Sequence, residues 1–511
     1  MKNFKSLICA LALATISATA CCSTADKCCD TSKPKYEDNW ESLAQHNKEP
    51  EWFKDSKLGI YFHWGVYSVP AFGSEWYPHY MYNNKNQHRK KGRPYEIYNH
   101  HITKYGKDFD YHDFIPMFTG EAFDPKEWAE LFKDAGAKFA GPAALHHDGF
   151  AMWDSKVNPW NANDMGPKRN ILGELFKELN RADMKTIATF HHARTLQRYA
   201  KDTTNWYGAW NSHFAYGPDL VTSTTDPKLR KLYGNMPADE FHEYWLEELR
   251  EVIQGYSPDI IWFDTWLDRI PDAYLKKMVA MQYNNKEESI ITYKHEDLPR
   301  NLAVMDIEQG GMKEMPFDYW MTDITLSYSS WSYVTGQTYK PVEMVVRNMI
   351  DVWSKRGVVL LNISPRADGV IPDEQRAVLA DMGRWIRKYE EAIYGTRSHY
   401  IYGYGSAKVE DNHHGGQKAT LEYTNEDIRY TRSKDGNTLY AFVLGLPETN
   451  APLTFKSVMN GDKKSVRKVT VMGSNKAVKW SMNEETFELT VTTPPSAEDM
   501  DALATLFKIE F

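Results

Sequence analysis

The polar residues His63, His146, His147, His191, His192, Asp264, Lys294 and Glu308 all stand at the ends of short apolar runs. The sharpest case is Ile260–Phe263, which follows Ser257-Pro258 and ends in Asp264. Such a run reads as a strand buried on both faces of a parallel sheet. A carboxylate delivered at the C-terminal end of such a strand is how a (β/α)8 barrel carries a catalytic group. A single Asp at that place could equally turn the chain or cap a helix. Recurrence of the pattern at six strand ends argues instead for one shared cleft.

Two chemistries compete for these residues. Three His-bearing strand ends invite a metal. Against that, His146-His147 and His191-His192 are adjacent pairs, and neighbours on a strand point to opposite faces, so a pair seldom supplies two ligands. No HExxH occurs in the sequence, and the expectation is no metal and no cofactor. Paired carboxylates fit better. Retaining glycoside hydrolysis needs an ionised carboxylate nucleophile and a carboxylic acid about 5–5.5 Å away. The acid must keep its proton near neutral pH. His and Trp side chains around such a pair would bond hydroxyls and stack on a sugar ring.

The elements that must position these groups alternate over residues 40–397. Trp40–Asp55 reads as an opening helix. Strands are expected at Lys57–Phe62, Phe139–Leu145, Thr186–Phe190, Ile260–Phe263, Ser289–Tyr293, Leu302–Ile307 and Val358–Ile363. Helices are expected at Pro125–Gly136, Ile171–Leu179, Phe241–Ile253, Pro271–Tyr283, Val342–Trp353 and Asp373–Lys388, several with a clear apolar stripe. The fold class is therefore α/β, a (β/α)8-like TIM barrel. The runner-up, a doubly wound open sheet, lacks a Gly-rich phosphate turn after its first strand. Tyr80–Lys107 reads as a polar insertion, a lid, a substrate rim or a solvated loop.

From residue 398 the texture changes to short alternating runs: Ala419–Tyr423, Ile428–Arg432, Leu439–Leu444, Val466–Val471, Phe487–Val491 and Leu506–Phe511. Asp435-Gly436-Asn437 marks a hairpin between two of them. Residues 398–511 are expected to form an all-β C-terminal sandwich that braces the barrel. His413–Gly416 reads as an exposed loop.

A net charge of −8 gives no nucleic-acid surface. Aromatic residues reach 14%, a lean toward sugar binding. Residues 1–20 read as a signal peptide, with a basic start and an apolar core too short to span a bilayer. Small residues before Cys21 resemble a bacterial lipoprotein cleavage site. The expected location is thus the periplasm or cell envelope, with Cys21 as the one route to a membrane. Residues 21–39 read as a polar tether. All 5 cysteines lie within the first 29 residues, so the folded part has no disulfide, thiolate metal site or Cys nucleophile. Oligomeric state stays open.

The segments LGIYFHWGVYSVPAFGSEWYP, HHDGF with WDS close behind, IWFD, LLNISPRADGVIP and EEAIYGTR together resemble the α-L-fucosidases of glycoside hydrolase family 29, from about Trp40 to Arg397. The resemblance implies a barrel followed by a β-sandwich. It also implies exo-acting, metal-free, retaining hydrolysis of terminal α-L-fucose from fucosylated oligosaccharides or glycoconjugates. By motif it makes Asp264 the nucleophile. It makes His63, Glu75, Trp76, His146, His147 and Trp262 sugar contacts. Lys294 stands where many members place Arg, and His192 near a position often held by Tyr. The acid/base varies in the family. Here Trp320 is followed by Met321 rather than Glu, which shifts weight to Glu308, with Glu296 and Glu314 as alternatives. Leu145 and Thr265-Trp266 depart from the usual Lys and Gly. Hydrolysis of α-L-galactosides and a binding-only homologue are the competing readings.

Overall fold

Eight parallel strands close into a barrel: β1 (Leu58–Phe62), β2 (Phe139–Leu145), β3 (Lys185–Phe190), β4 (Ile260–Phe263), β5 (Ile290–Lys294), β6 (Val304–Asp306), β7 (Trp320–Thr325) and β8 (Gly357–Ile363). β8 pairs back onto β1, Ile60 opposite Leu361. The computed structural model describes residues 34–83, 90–198, 211–407, 421–461 and 465–511. The expectations for the signal segment, Cys21, most of the tether, His413–Gly416 and the first two residues of Ala419–Tyr423 lie outside the described residues.

Period-two alternation along each strand decides what enters the barrel. Tyr61, Ile187, Ile260, Trp262, Ile290, Val304, Met321, Val358 and Leu360 form one inner cluster. Their neighbours Ile60, Ala188, Ile261, Phe263, Ile291, Val359 and Leu361 pack outward into the larger cluster. That cluster takes its other half from the apolar stripes of the helices Pro125–Asp134, Ile171–Arg181, Ala238–Tyr256, Asp272–Asn285, Val342–Ser354 and Asp373–Ile393.

Several expectations need correction. The opening helix is two short ones, Trp40–Leu43 and Glu51–Ser56, with Pro50 extended between them. The polar insertion carries a helix, Arg93–Lys104, which buries Ile97 and His101. β7 was not expected, because Thr322 and Asp323 break its apolar run; Asp323 points inward, where Tyr61 Oη (2.9 Å) and Lys294 bond it. No helix separates β5, β6 and β7. Phe317, in the connection between β6 and β7, is 90% exposed.

The C-terminal sheets are built from β9 (Arg397–Tyr404), β10 (Ile428–Arg432), β11 (Thr438–Val443), β12 (Pro452–Phe455), β13 (Lys468–Val471), β14 (Lys476–Ala477), β15 (Trp480–Asn483), β16 (Glu488–Thr492) and β17 (Thr505–Glu510). Six strands run in the order β14-β13-β17-β11-β10-β9, and three in the order β12-β16-β15. Leu421–Tyr423 carries no strand.

A buried ion triad ties this domain to the barrel. Asp351, on the helix before β8, accepts from Arg429 Nε of β10 (2.5 Å) and from Lys355 Nζ (3.0 Å). Asp351→Ala would leave two buried cations without their shared anion. It is expected to destabilise the protein by about 3–5 kcal/mol. Lys434→Ala removes an exposed partner of Asp55 and should cost less than about 1 kcal/mol. Denaturant midpoints for both variants check the contrast; equal midpoints would remove the triad as the brace.

Candidate active site

At the C-terminal ends of the barrel strands lies a cavity of about 610 Å³. Asp264 continues the inward series Ile260–Trp262 and reaches its floor. Lys294 ends β5 and sits at the centre of the charge. Its Nζ lies 3.4 Å from Asp264 Oδ1, 2.9 Å from Glu308 Oε2 and 3.3 Å from Asp323 Oδ2. One ammonium within reach of both puts these oxygens of Asp264 and Glu308 no more than about 6.3 Å apart, close to the spacing of a retaining pair.

The two carboxyls are driven in opposite directions. Burial alone would raise the pKa of Asp264. The Lys294 ammonium and hydrogen bonds from His147 and His191 overcome it and hold Asp264 well below the usual carboxylate range. Burial raises Glu308; Lys294 pulls it down, while the Asp323 and Asp264 charges push it up, and the net direction is upward. Asp306, on β6, is raised well above its ordinary value by burial and by Asp323, which favours its protonated form. A carboxyl held ionised beside one shifted toward its protonated form is the division of labour that glycoside cleavage requires.

Histidines wall the opposite side. His147 Nε2 stands 3.1 Å from Asp264 Oδ2, and His191 Nδ1 stands 3.5 Å from the same oxygen. His147 Nδ1 donates to the His191 carbonyl (2.6 Å). Both acceptors are met at once only by the imidazolium, the form that the Asp264 carboxylate favours and that burial opposes, pulling the His147 pKa down to about 4. His63 Nδ1 lies 2.8 Å from Asn362 Oδ1. The Nδ2 of Asn362 donates to the Trp331 carbonyl and to Thr325 Oγ1. Asn362 therefore presents an acceptor, His63 Nδ1 carries the proton, and Nε2 is left as an acceptor. Glu75 is buried and accepts from Ser330 Oγ and the Trp331 N–H, both at 3.2 Å.

Ring nitrogens of His63, His146 and His191 lie within 4.8 Å of one another, as do ligand atoms of His147, His191 and Asp264. The adjacent-pair argument did not foresee this gathering. Three strand ends contribute one imidazole each, a donor set compatible with a zinc-like ion. The same atoms are equally the hydroxyl partners a sugar would need.

Residues 23–391 match the family described as Alpha-L-fucosidase, and residues 421–510 match its Alpha-L-fucosidase C-terminal domain. The chain belongs to the alpha-L-fucosidase family. It is 28% identical over 492 residues to human tissue alpha-L-fucosidase, covering 91% of this chain and 89% of that one. It is 30% identical over 385 residues to human plasma alpha-L-fucosidase, covering 72% and 73%. Among solved structures, the Thermotoga maritima alpha-fucosidase in complex with fucose superposes with a TM-score of 0.69 at 27% identity, covering 93% of this chain and 100% of that one. This fucosidase is thus a glycoside hydrolase that releases fucose.

Within the fucosidase cavity the structure places His63, Glu75, Trp76, His146, His147, Trp262, Asp264, Lys294 and Glu308 together. Glu296 is not among them; it lies outside the cavity and pairs with Arg300 at 2.6 Å. Glu314 is also exposed and outside it. His192 is a correction. Ile187 of β3 points into the barrel, so residue 191 does too and residue 192 points outward. His192 stacks on Trp245 and lies 3.6 Å from Glu248, among the helices. His191 holds the place beside the carboxylate, and counting by twos along β3 would have found it. β2 breaks the same rule. Its register shifts between Ala143 and Leu145, which lets both His146 and His147 face the cavity.

Arg194, Trp266, Asp323 and Trp331 also line the fucosidase cavity and were missed. The Arg194 guanidinium lies over Trp76 (4.8 Å) and Trp266 (4.4 Å). Trp266 has φ +83°, a left-handed conformation that strains any residue with a Cβ. The Thr265-Trp266 pair after Asp264, where glycine is usual, was the available signal.

Lys294→Met should move both limbs of the kcat/KM pH profile upward, by about 1 pH unit or more. Both carboxylate anions lose their shared cation, so each takes up its proton at higher pH. The measurement is initial rate against pH on an aryl α-L-fucoside. An acid limb that stays in place would remove Lys294 as the group that keeps Asp264 ionised.

Proposed function

We propose that this enzyme is an exo-acting, retaining α-L-fucosidase working by double displacement. The observation that carries the reading is the Asp264–Lys294–Glu308 arrangement, one carboxyl held ionised and the other held toward its protonated form across a single ammonium. In the first step Asp264 Oδ bonds to C1 of the fucosyl ring as the C1–O bond to the leaving group breaks, and Glu308 gives its proton to the departing oxygen. In the second step Glu308 takes a proton from water, whose oxygen attacks C1 and displaces Asp264 with overall retention. His63, Glu75, Trp76, His146, His147 and Trp262 bond the hydroxyls and cover the ring face. His191 holds Asp264, and Lys294 orders both carboxyls.

Proton NMR of the first-formed sugar tests the stereochemistry: α-L-fucose appearing before mutarotation is expected, and β-L-fucose first would overturn it. Dialysis against EDTA should leave turnover unchanged. Loss that zinc restores would turn the His63, His146 and His191 cluster from a hydroxyl-binding wall into a metal site. A faster rate on aryl α-L-galactosides than on fucosides would shift the substrate class.

The same reading extends to export. The basic Met1–Lys5, the apolar Leu7–Ile16 and the small residues before Cys21 support an envelope enzyme lipidated at Cys21. A mature mass without acyl chains would end the lipid anchor.

A further inference from the structure

The C-terminal domain contains a second cavity, of about 600 Å³, that the hydrolytic reaction does not use. Its walls hold Tyr400, Trp480 and Phe487. These are 53%, 36% and 38% exposed, and they make up half of the large exposed hydrophobic side chains among the described residues. Scattered apolar side chains at a surface need no explanation, but a concave cluster of aromatics does.

Two backbone irregularities hold these rings in place. Phe487 has φ +56°, the left-handed region, at the end of the β15–β16 turn. The turn is fixed by Asn483 Oδ1, which accepts from the N–H groups of Glu485 and Thr486, and by the Phe487 carbonyl, which accepts from Val458 N–H (2.9 Å). A left-handed φ strains any residue with a Cβ, and here the strained residue presents an aromatic ring to solvent instead of burying it. Tyr400 lies in the stretch of β9 where pairing with β10 loses register: Ser398 faces Thr431, yet Gly403 faces Arg429. Such irregularities re-aim side chains. Asn460, Ser465 and Glu484 add hydrogen-bonding groups to the same cavity. The volume falls in the range of small-ligand sites.

We propose that this cavity is an accessory glycan-binding site. Trp480, Phe487 and Tyr400 offer ring faces to the C–H face of a pyranose, and Asn460, Ser465 and Glu484 meet its hydroxyls. Its occupant is a neutral sugar unit of the glycan on which the barrel acts, held away from the catalytic pocket. The enzyme would then stay on a multivalent glycoconjugate between cleavages.

The test uses the full chain and gastric mucin as the probe, with Trp480→Ala and Phe487→Gly as variants. Phe487→Gly removes the ring and relieves the strained φ, so it should fold even where Trp480→Ala does not. Both variants are expected to hydrolyse para-nitrophenyl α-L-fucoside at the wild-type rate. On mucin, KM should rise about three- to tenfold with kcat unchanged, the effect of one lost ring contact. Retention of Asp264→Ala protein on immobilised mucin should fall by a similar factor when either substitution is added. Unchanged mucin KM and retention would overturn the proposal. So would sedimentation showing a wild-type dimer that these substitutions convert to monomer, because the cavity would then be a contact between copies of this chain.

Discussion

Asp264→Ala is expected to lower turnover of para-nitrophenyl α-L-fucoside by about 10⁴-fold or more, with little change in thermal stability. The size follows from the position of the residue. Asp264 ends the inward series of β4, and Lys294, His147 and His191 converge on its carboxylate. No other carboxylate in the cavity combines that ionisation with that place. Stability should hold because Lys294 keeps Glu308 and Asp323 as partners after the substitution. Azide can enter the space left by the carboxylate and attack C1 from the same side, giving β-L-fucosyl azide. Turnover close to wild type would end the assignment of Asp264 and, with it, the double-displacement reading.

Glu308→Ala should lower kcat/KM on a fucosylated oligosaccharide by about 10²–10⁴-fold, the usual worth of general acid catalysis. A 4-nitrophenol leaving group barely needs protonation, so its cleavage to the fucosyl-enzyme should be much less affected. Azide needs no general base and should speed release of that intermediate, giving α-L-fucosyl azide with retention. The azide anomer therefore separates the two roles: β from the nucleophile variant, α from the acid/base variant. Glu296→Ala and Glu314→Ala should retain wild-type activity, since both side chains lie outside the cavity. A large loss in either, with Glu308→Ala active, would move the acid to that residue.

Much of this was legible in the chain itself. Continuous apolar runs mark strands buried on both faces, and the residue after each run must stand at the barrel mouth, whatever the rest of the fold does. Ile260–Phe263 reads as a buried strand by itself, and recurrence of polar residues at the other strand ends is what made Asp264 part of a shared cleft. Parity along β3 would also have separated His191 from His192, because Ile187 and Thr189 precede it on the inner face. β7 was hidden for a different reason. Asp323 looks polar in sequence and belongs in the interior only because Tyr61 and Lys294, 262 and 29 residues away, meet it there.

Local pattern thus determined most of the barrel strands and their polar ends, Asp264 among them, since burial on a strand has a period that neighbouring residues alone display. Tertiary structure decided which carboxyl gives up its proton, which histidine of a pair faces the cleft, and that Tyr400, Trp480 and Phe487 share one cavity. Those properties depend on electrostatic and packing contacts between segments far apart in the chain, and no local periodicity encodes them.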